Sequence, residues 1–89
     1  TYNIRVGRSK SVNGPYVDRD GKDMREGGGT MVLKTQGSRI GPGHAGIIVE
    51  NGTEYLSYHF YDGNTEKGTP TLGIRTISWD DEGWPTVGE

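Results

Sequence analysis

Ile47-Ile48-Val49-Glu50-Asn51-Gly52-Thr53-Glu54-Tyr55-Leu56-Ser57-Tyr58 is the stretch that decides the fold. Two apolar runs, residues 47–49 and 55–58, flank an Asn-Gly pair. Both residues of that pair tolerate positive φ, which the two central positions of a tight hairpin turn require. The stretch predicts two antiparallel strands joined by a two-residue loop. Asn51-Gly52-Thr53 also matches an N-glycosylation sequon, but the turn already accounts for its residues.

Outward from this hairpin the same grammar repeats. Period-two alternation predicts strands over residues 2–8, 30–34, 45–50, 54–61, 72–79 and a short one at 84–87. Asn13-Gly14-Pro15, Asp20-Gly21 and Asp62-Gly63-Asn64 supply turns between them. No window places apolar residues at helical spacing for two turns. The expectation is an all-β antiparallel meander. Its last four strands would form one sheet the size of a propeller blade, and its first two or three the outer half of a preceding blade. A small barrel is the competing all-β architecture.

Composition sets limits on what such a chain can do alone. Its 89 residues include 16 glycines and four prolines against 29% hydrophobic residues, so little material is available for a core. There is no cysteine to staple it. A lone blade would leave two sheet edges and one face uncovered. The alternation of Tyr2-Asn3-Ile4-Arg5-Val6 begins at once, without a start methionine or leader, and reads as a segment of a longer protein. A net charge of −2 with interspersed signs lacks the concentrated basic face that nucleic acid requires. No apolar run is long enough for a membrane-spanning helix.

Five blocks in order resemble the family 43 glycoside hydrolases, and the arabinanase group in particular. They are Val6-Gly7-Arg8-Ser9-Lys10-Ser11-Val12-Asn13-Gly14-Pro15-Tyr16-Val17-Asp18, Glu26-Gly27-Gly28-Gly29-Thr30, Gly41-Pro42-Gly43-His44, Tyr58-His59-Phe60-Tyr61-Asp62 and Trp79-Asp80-Asp81-Glu82-Gly83-Trp84-Pro85. The resemblance implies about one and a half blades of a five-bladed β-propeller. Residues 1–40 would be outer strands of the penultimate blade and residues 41–89 the final four-stranded blade. It further implies inverting hydrolysis of α-1,5-linked arabinan, endo-arabinanase-like, by a carboxylate base and a carboxylic acid. None of the acids here matches the family's catalytic positions, so this segment is expected to hold no catalytic residue and to be inactive alone. Secretion or a periplasmic location, in a bacterium, rests on the same resemblance. The implied partners are arabinan or arabino-oligosaccharide and the missing N-terminal blades, or self-association to complete the sheet.

Two histidines are the candidate site residues. Period two sends His59 to the face opposite Tyr58 and Phe60, which in an inner strand is the channel. The resemblance makes it a metal ligand, to a calcium or similar ion on the propeller axis, largely through waters. His44 follows Gly41-Pro42-Gly43, read as a rigid turn presenting it at the start of the next strand, and is the candidate substrate-binding residue. No Cys, Asp or Glu falls at a spacing that completes a zinc set with the two histidines.

Other motifs weigh toward structure. Asp18-Arg19-Asp20-Gly21-Lys22-Asp23 lacks the residue order and distal glutamate of a calcium loop and reads as an exposed hairpin turn. Trp79 and Trp84 are expected to clamp the terminal hairpin more than to stack on sugar. Tyr55, Tyr58 and Tyr61 read as packing between blades, and Arg75 as either a solvated strand face or a channel contact. The alternative for the whole chain is a non-catalytic all-β carbohydrate-binding or interaction module.

Overall fold

A computed structural model describes residues 2–88, leaving Thr1 and Glu89 outside it. The six strands among the described residues form two antiparallel sheets. β1 (Ile4–Val6) pairs with β2 (Thr30–Leu33), and β3 (Arg39–Glu50), β4 (Thr53–Asp62), β5 (Thr69–Trp79) and β6 (Pro85–Val87) follow one another as a four-stranded meander. The all-β expectation holds, with one departure: a single 3-10 turn at Met24–Glu26, whose first turn is capped by the Asp23 carboxylate. The strand expected over residues 2–8 is trimmed to Ile4–Val6, while Arg8 makes an isolated bridge to Val17.

The Asn51-Gly52 hairpin is present in the expected register. Glu50 pairs with Thr53, and Asn51 and Gly52 adopt φ of 52° and 80°. Both central residues are left-handed, as a type I′ turn demands.

The Gly41-Pro42-Gly43 reading needs correction. These residues do not form a turn before a strand; they lie within β3, which runs unbroken from Arg39. Ile40 pairs with Tyr61, Gly43 with His59 and Gly46 with Ser57, so twice in succession two residues of β3 oppose one of β4. These are consecutive β-bulges, headed by Gly41 at φ 60° and His44 at φ 53°. A bulge is where a strand can hold a proline, and Pro42 is fully buried there.

The core lies between the two sheets. Leu33 of β2 meets Leu56 and Tyr58 of β4, with Ile4, Val32, Phe60, Ile77 and Val87 packed around them. β1 approaches β3, and β2 approaches β6. Arg75 belongs to this buried face and to neither expected location. Its Nε donates to Tyr58 Oη at 2.9 Å, Nη2 to Gln36 Oε1 at 3.1 Å and Nη1 to the Gly88 carbonyl at 3.4 Å. Tyr58 fits because its ring lies over Gly73: a Cβ there would fall 2.7 Å from the phenol oxygen.

The opposite face of the large sheet is uncovered, with Leu72 70% and Ile74 54% exposed. Among the described residues, no helix is long and apolar enough to cross a membrane.

A polar clasp joins the loops of the small sheet to the terminal hairpin. Arg8 stacks its guanidinium 4.2 Å from the centre of the Trp84 ring and donates to the Glu82 carbonyl at 2.6 Å. Arg19 pairs with Asp80 and, at 3.3 Å, with Glu82. Trp84 is 3% exposed and packs as expected, whereas Trp79 is 55% exposed, its indole N–H donating to Glu54 Oε1 at 2.8 Å.

Candidate functional site

The uncovered face carries the histidines. His59 lies on β4, the second strand of the sheet, not on the edge strand, and faces away from the buried Tyr58 as period two predicts. Its partner across the ladder is Gly43. A glycine at that position leaves the space beside the imidazole open. His44 follows at the head of the second bulge, and its ring centroid lies 5.8 Å from that of His59, tilted by 35°. The two residues chosen from sequence, 15 positions apart, are thus neighbours.

Backbone strain marks His44. A side chain at φ 53° costs roughly 1–2 kcal/mol relative to glycine. Gly41, heading the preceding bulge, avoids that cost. The chain accepts it at the position that places a second imidazole beside His59.

Two tyrosines complete the surroundings. Tyr61 meets His59 edge-on at 5.8 Å, and Tyr2 lies over Gly43. His44, His59 and Tyr61 are shared by two open hollows of about 500 Å³ and 300 Å³. Ser57, Thr71 and Leu72 extend the larger one, and Tyr2 borders the smaller. The sequence reading missed Tyr2 and assigned Tyr61 to packing. Tyr61 was within reach of the period-two rule, standing two residues from His59 on the same face. Tyr2 was not, because it comes from the segment before β1, more than 40 positions from His44.

The side chains of this surface can hydrogen-bond and stack. Imidazole, phenol and hydroxyl groups donate and accept hydrogen bonds, and the rings offer apolar faces to a sugar. No carboxylate lines either hollow. Among the described residues, no group of three or more His, Cys, Asp or Glu side chains could hold a metal ion. Calcium takes six to eight oxygen ligands, and two imidazoles do not fit it by themselves.

Two acidic residues elsewhere, Asp18 and Asp80, are committed to structure. The Asp18 carboxylate accepts from the backbone amides of Asp20, Lys22 and Gly29, each at 2.8–2.9 Å, and these bonds, that of Gly29 foremost, hold it below the usual carboxylate range. It staples a turn, in keeping with the structural reading of that acidic stretch, and is itself buried. The Asp80 carboxylate accepts from the Trp84 and Glu82 amides and pairs with Arg19; the Trp84 amide first, then the guanidinium, hold it low.

Comparison with known proteins agrees with this architecture. A model of the glycosyl hydrolases family 43 matches residues 1–85. The extracellular exo-α-(1→5)-L-arabinofuranosidase of Cellvibrio japonicus is 42% identical over 89 residues, 100% of this chain and 25% of the relative. The extracellular endo-α-(1→5)-L-arabinanase 1 of Bacillus subtilis is 45% identical over 86 residues, 97% of this chain and 25% of the relative. The structure of Cellvibrio cellulosa α-L-arabinanase superposes with a TM-score of 0.90 at 41% identity, over 99% of this chain and 28% of that one; it is also known in complex with arabinohexaose. The chain therefore spans about a quarter of the length of these relatives. The ordered blocks, the paired sheets and a family match over nearly all of its residues agree: the chain belongs to glycosyl hydrolase family 43.

Proposed function

We propose that this chain is the closing wall of an extracellular glycosidase that hydrolyses α-1,5-linked arabinan. β1 and β2 would be outer strands of a penultimate propeller blade and β3–β6 the final blade. The observation that carries this reading is the likeness to arabinan-degrading enzymes over the full chain, including a superposition at TM-score 0.90. Relatives of similar identity include both exo- and endo-acting enzymes, so the shared property is the bond cleaved.

In this reading the His44–His59 wall faces the end of the central channel. His44 would hydrogen-bond an arabinofuranose hydroxyl, with Tyr61 bounding the same hollow. His59 would turn toward an axial calcium held mainly by waters. Inverting hydrolysis needs two carboxyl groups about 6.5–9.5 Å apart, one activating water and one protonating the leaving oxygen. With no carboxylate in either hollow, both are assigned to blades outside this chain. The uncovered Ile74 would meet a neighbouring blade.

A chimera tests the proposal. Replacing the matched segment of the B. subtilis endo-arabinanase with this chain should give a folded protein that hydrolyses linear arabinan. A chimera that folds cooperatively yet has lost that activity overturns the reading.

A further inference from the structure

We propose that Asn51 is a self-modifying site, converting by intramolecular deamidation to an aspartyl–isoaspartyl mixture, and that the fold confines this reaction to Asn51 among its Asn-Gly pairs. The chain has two of these, Asn13-Gly14 and Asn51-Gly52, and two Asp-Gly pairs, Asp20-Gly21 and Asp62-Gly63, open to the analogous isomerisation. The glycine matters because the nucleophile is its backbone nitrogen, and no Cβ hinders its approach.

The step balances without a co-reactant other than water. The Gly52 nitrogen loses its proton to solvent base and bonds to Asn51 Cγ; the Cγ–Nδ2 bond breaks and ammonia leaves. Water then opens the five-membered imide. Attack at Cγ gives aspartate, and attack at the Asn51 main-chain carbonyl gives isoaspartate, with the backbone routed through the side chain and one carbon longer.

The structure separates the four glycine amides. Gly14 N–H donates to the Ser11 carbonyl at 2.9 Å, Gly21 to Asp18 at 3.0 Å and Gly63 to Ser38 at 2.7 Å. Each is held away from its neighbour's side chain by a bond that must break first. The Gly52 amide has no acceptor among the described residues. Its turn is exposed, and a Cβ built on Gly52 would meet nothing within 4 Å. Ring closure requires Asn51 to leave its left-handed conformation, a change confined to the two-residue turn between Glu50 and Thr53. Asparagine is already among the thermolabile residues. At this turn the product also adds negative charge between Glu50 and Glu54.

The test is incubation of the B. subtilis chimera carrying this chain at mildly alkaline pH, folded and in guanidinium chloride, followed by peptide mapping for isoaspartate. In the folded chain isoaspartate should appear at Asn51 several-fold faster than at Asn13, whereas in denaturant the two sites should convert at similar rates. Asn13 keeping pace in the folded chain overturns the proposal. So does an intact Asn51 over the period in which the denatured chain converts. Asn51→Gly, which keeps the left-handed turn, should slow the acidic drift in charge several-fold; a drift at the unsubstituted rate would equally contradict it.

Discussion

The imidazole of His44 lies 5.8 Å from that of His59 because a glycine faces one and a bulge carries the other. His44 heads that bulge at φ 53°, so its side chain is bound to strain that a glycine would release. His44→Gly should leave folding stability unchanged or raise it by up to about 1 kcal/mol, the relief of strain being partly offset by the extra freedom of glycine in the unfolded chain. Urea unfolding of the B. subtilis chimera carrying this chain measures this. A loss above about 2 kcal/mol would mean that the ring is a packing element.

The Tyr58–Arg75 pair should be sensitive on both sides. Tyr58→Phe removes the acceptor of a buried guanidinium N–H and should cost about 2 kcal/mol. Gly73→Ala drives a methyl group into the Tyr58 ring and should cost a similar amount by overpacking. The two effects concern the same ring, so the double variant should depart from additivity. Denaturation of the three variants provides the cycle.

Trp84 and Arg19 divide the clasp into unequal parts. Trp84→Ala empties a buried site and should cost about 4 kcal/mol. Arg19→Ala breaks ion pairs that water reaches and should cost about 1 kcal/mol or less, with the difference shrinking as salt is added. Thermal melts at low and high ionic strength distinguish the two contributions.

Acid should loosen both turns that carboxylates staple. Asp18 and Asp80 are held below the usual range by the Gly29 and Trp84 amides respectively, with Arg19 assisting at Asp80. In the unfolded chain such carboxylates titrate near about 3.9. Their contribution is therefore complete above that value and is lost as pH falls through the lower folded-state values. Melting temperature should drop below about pH 4, and Asp18→Asn should flatten that drop. An unchanged acid slope in the variant would contradict the assignment.

Much of this architecture was legible because local chemistry dictates it. Asn51-Gly52 permits few structures other than a two-residue turn, and alternation along residues 54–61 assigns a face to each side chain. The same rule placed His59 opposite Tyr58. Turn chemistry misled at Gly41-Pro42-Gly43, where turn-forming residues serve two bulges inside a strand. Only the pairing of β3 with β4 could reveal that, and pairing is non-local. Arg75 escaped for a related reason: its acceptors Tyr58, Gln36 and Gly88 lie 17, 39 and 13 residues away. Tyr2 reaches the candidate site only once two separate sheets have packed.

The central claim is that the face bearing His44 and His59 closes an arabinan-hydrolysing site. Its most direct test is the rate of linear arabinan hydrolysis by the B. subtilis chimera with and without His59→Ala. The account predicts an unchanged melting temperature with activity reduced about tenfold or more, equivalent to about 1.4 kcal/mol of lost transition-state stabilisation. A variant that folds normally and hydrolyses arabinan at the parent chimera's rate would contradict it.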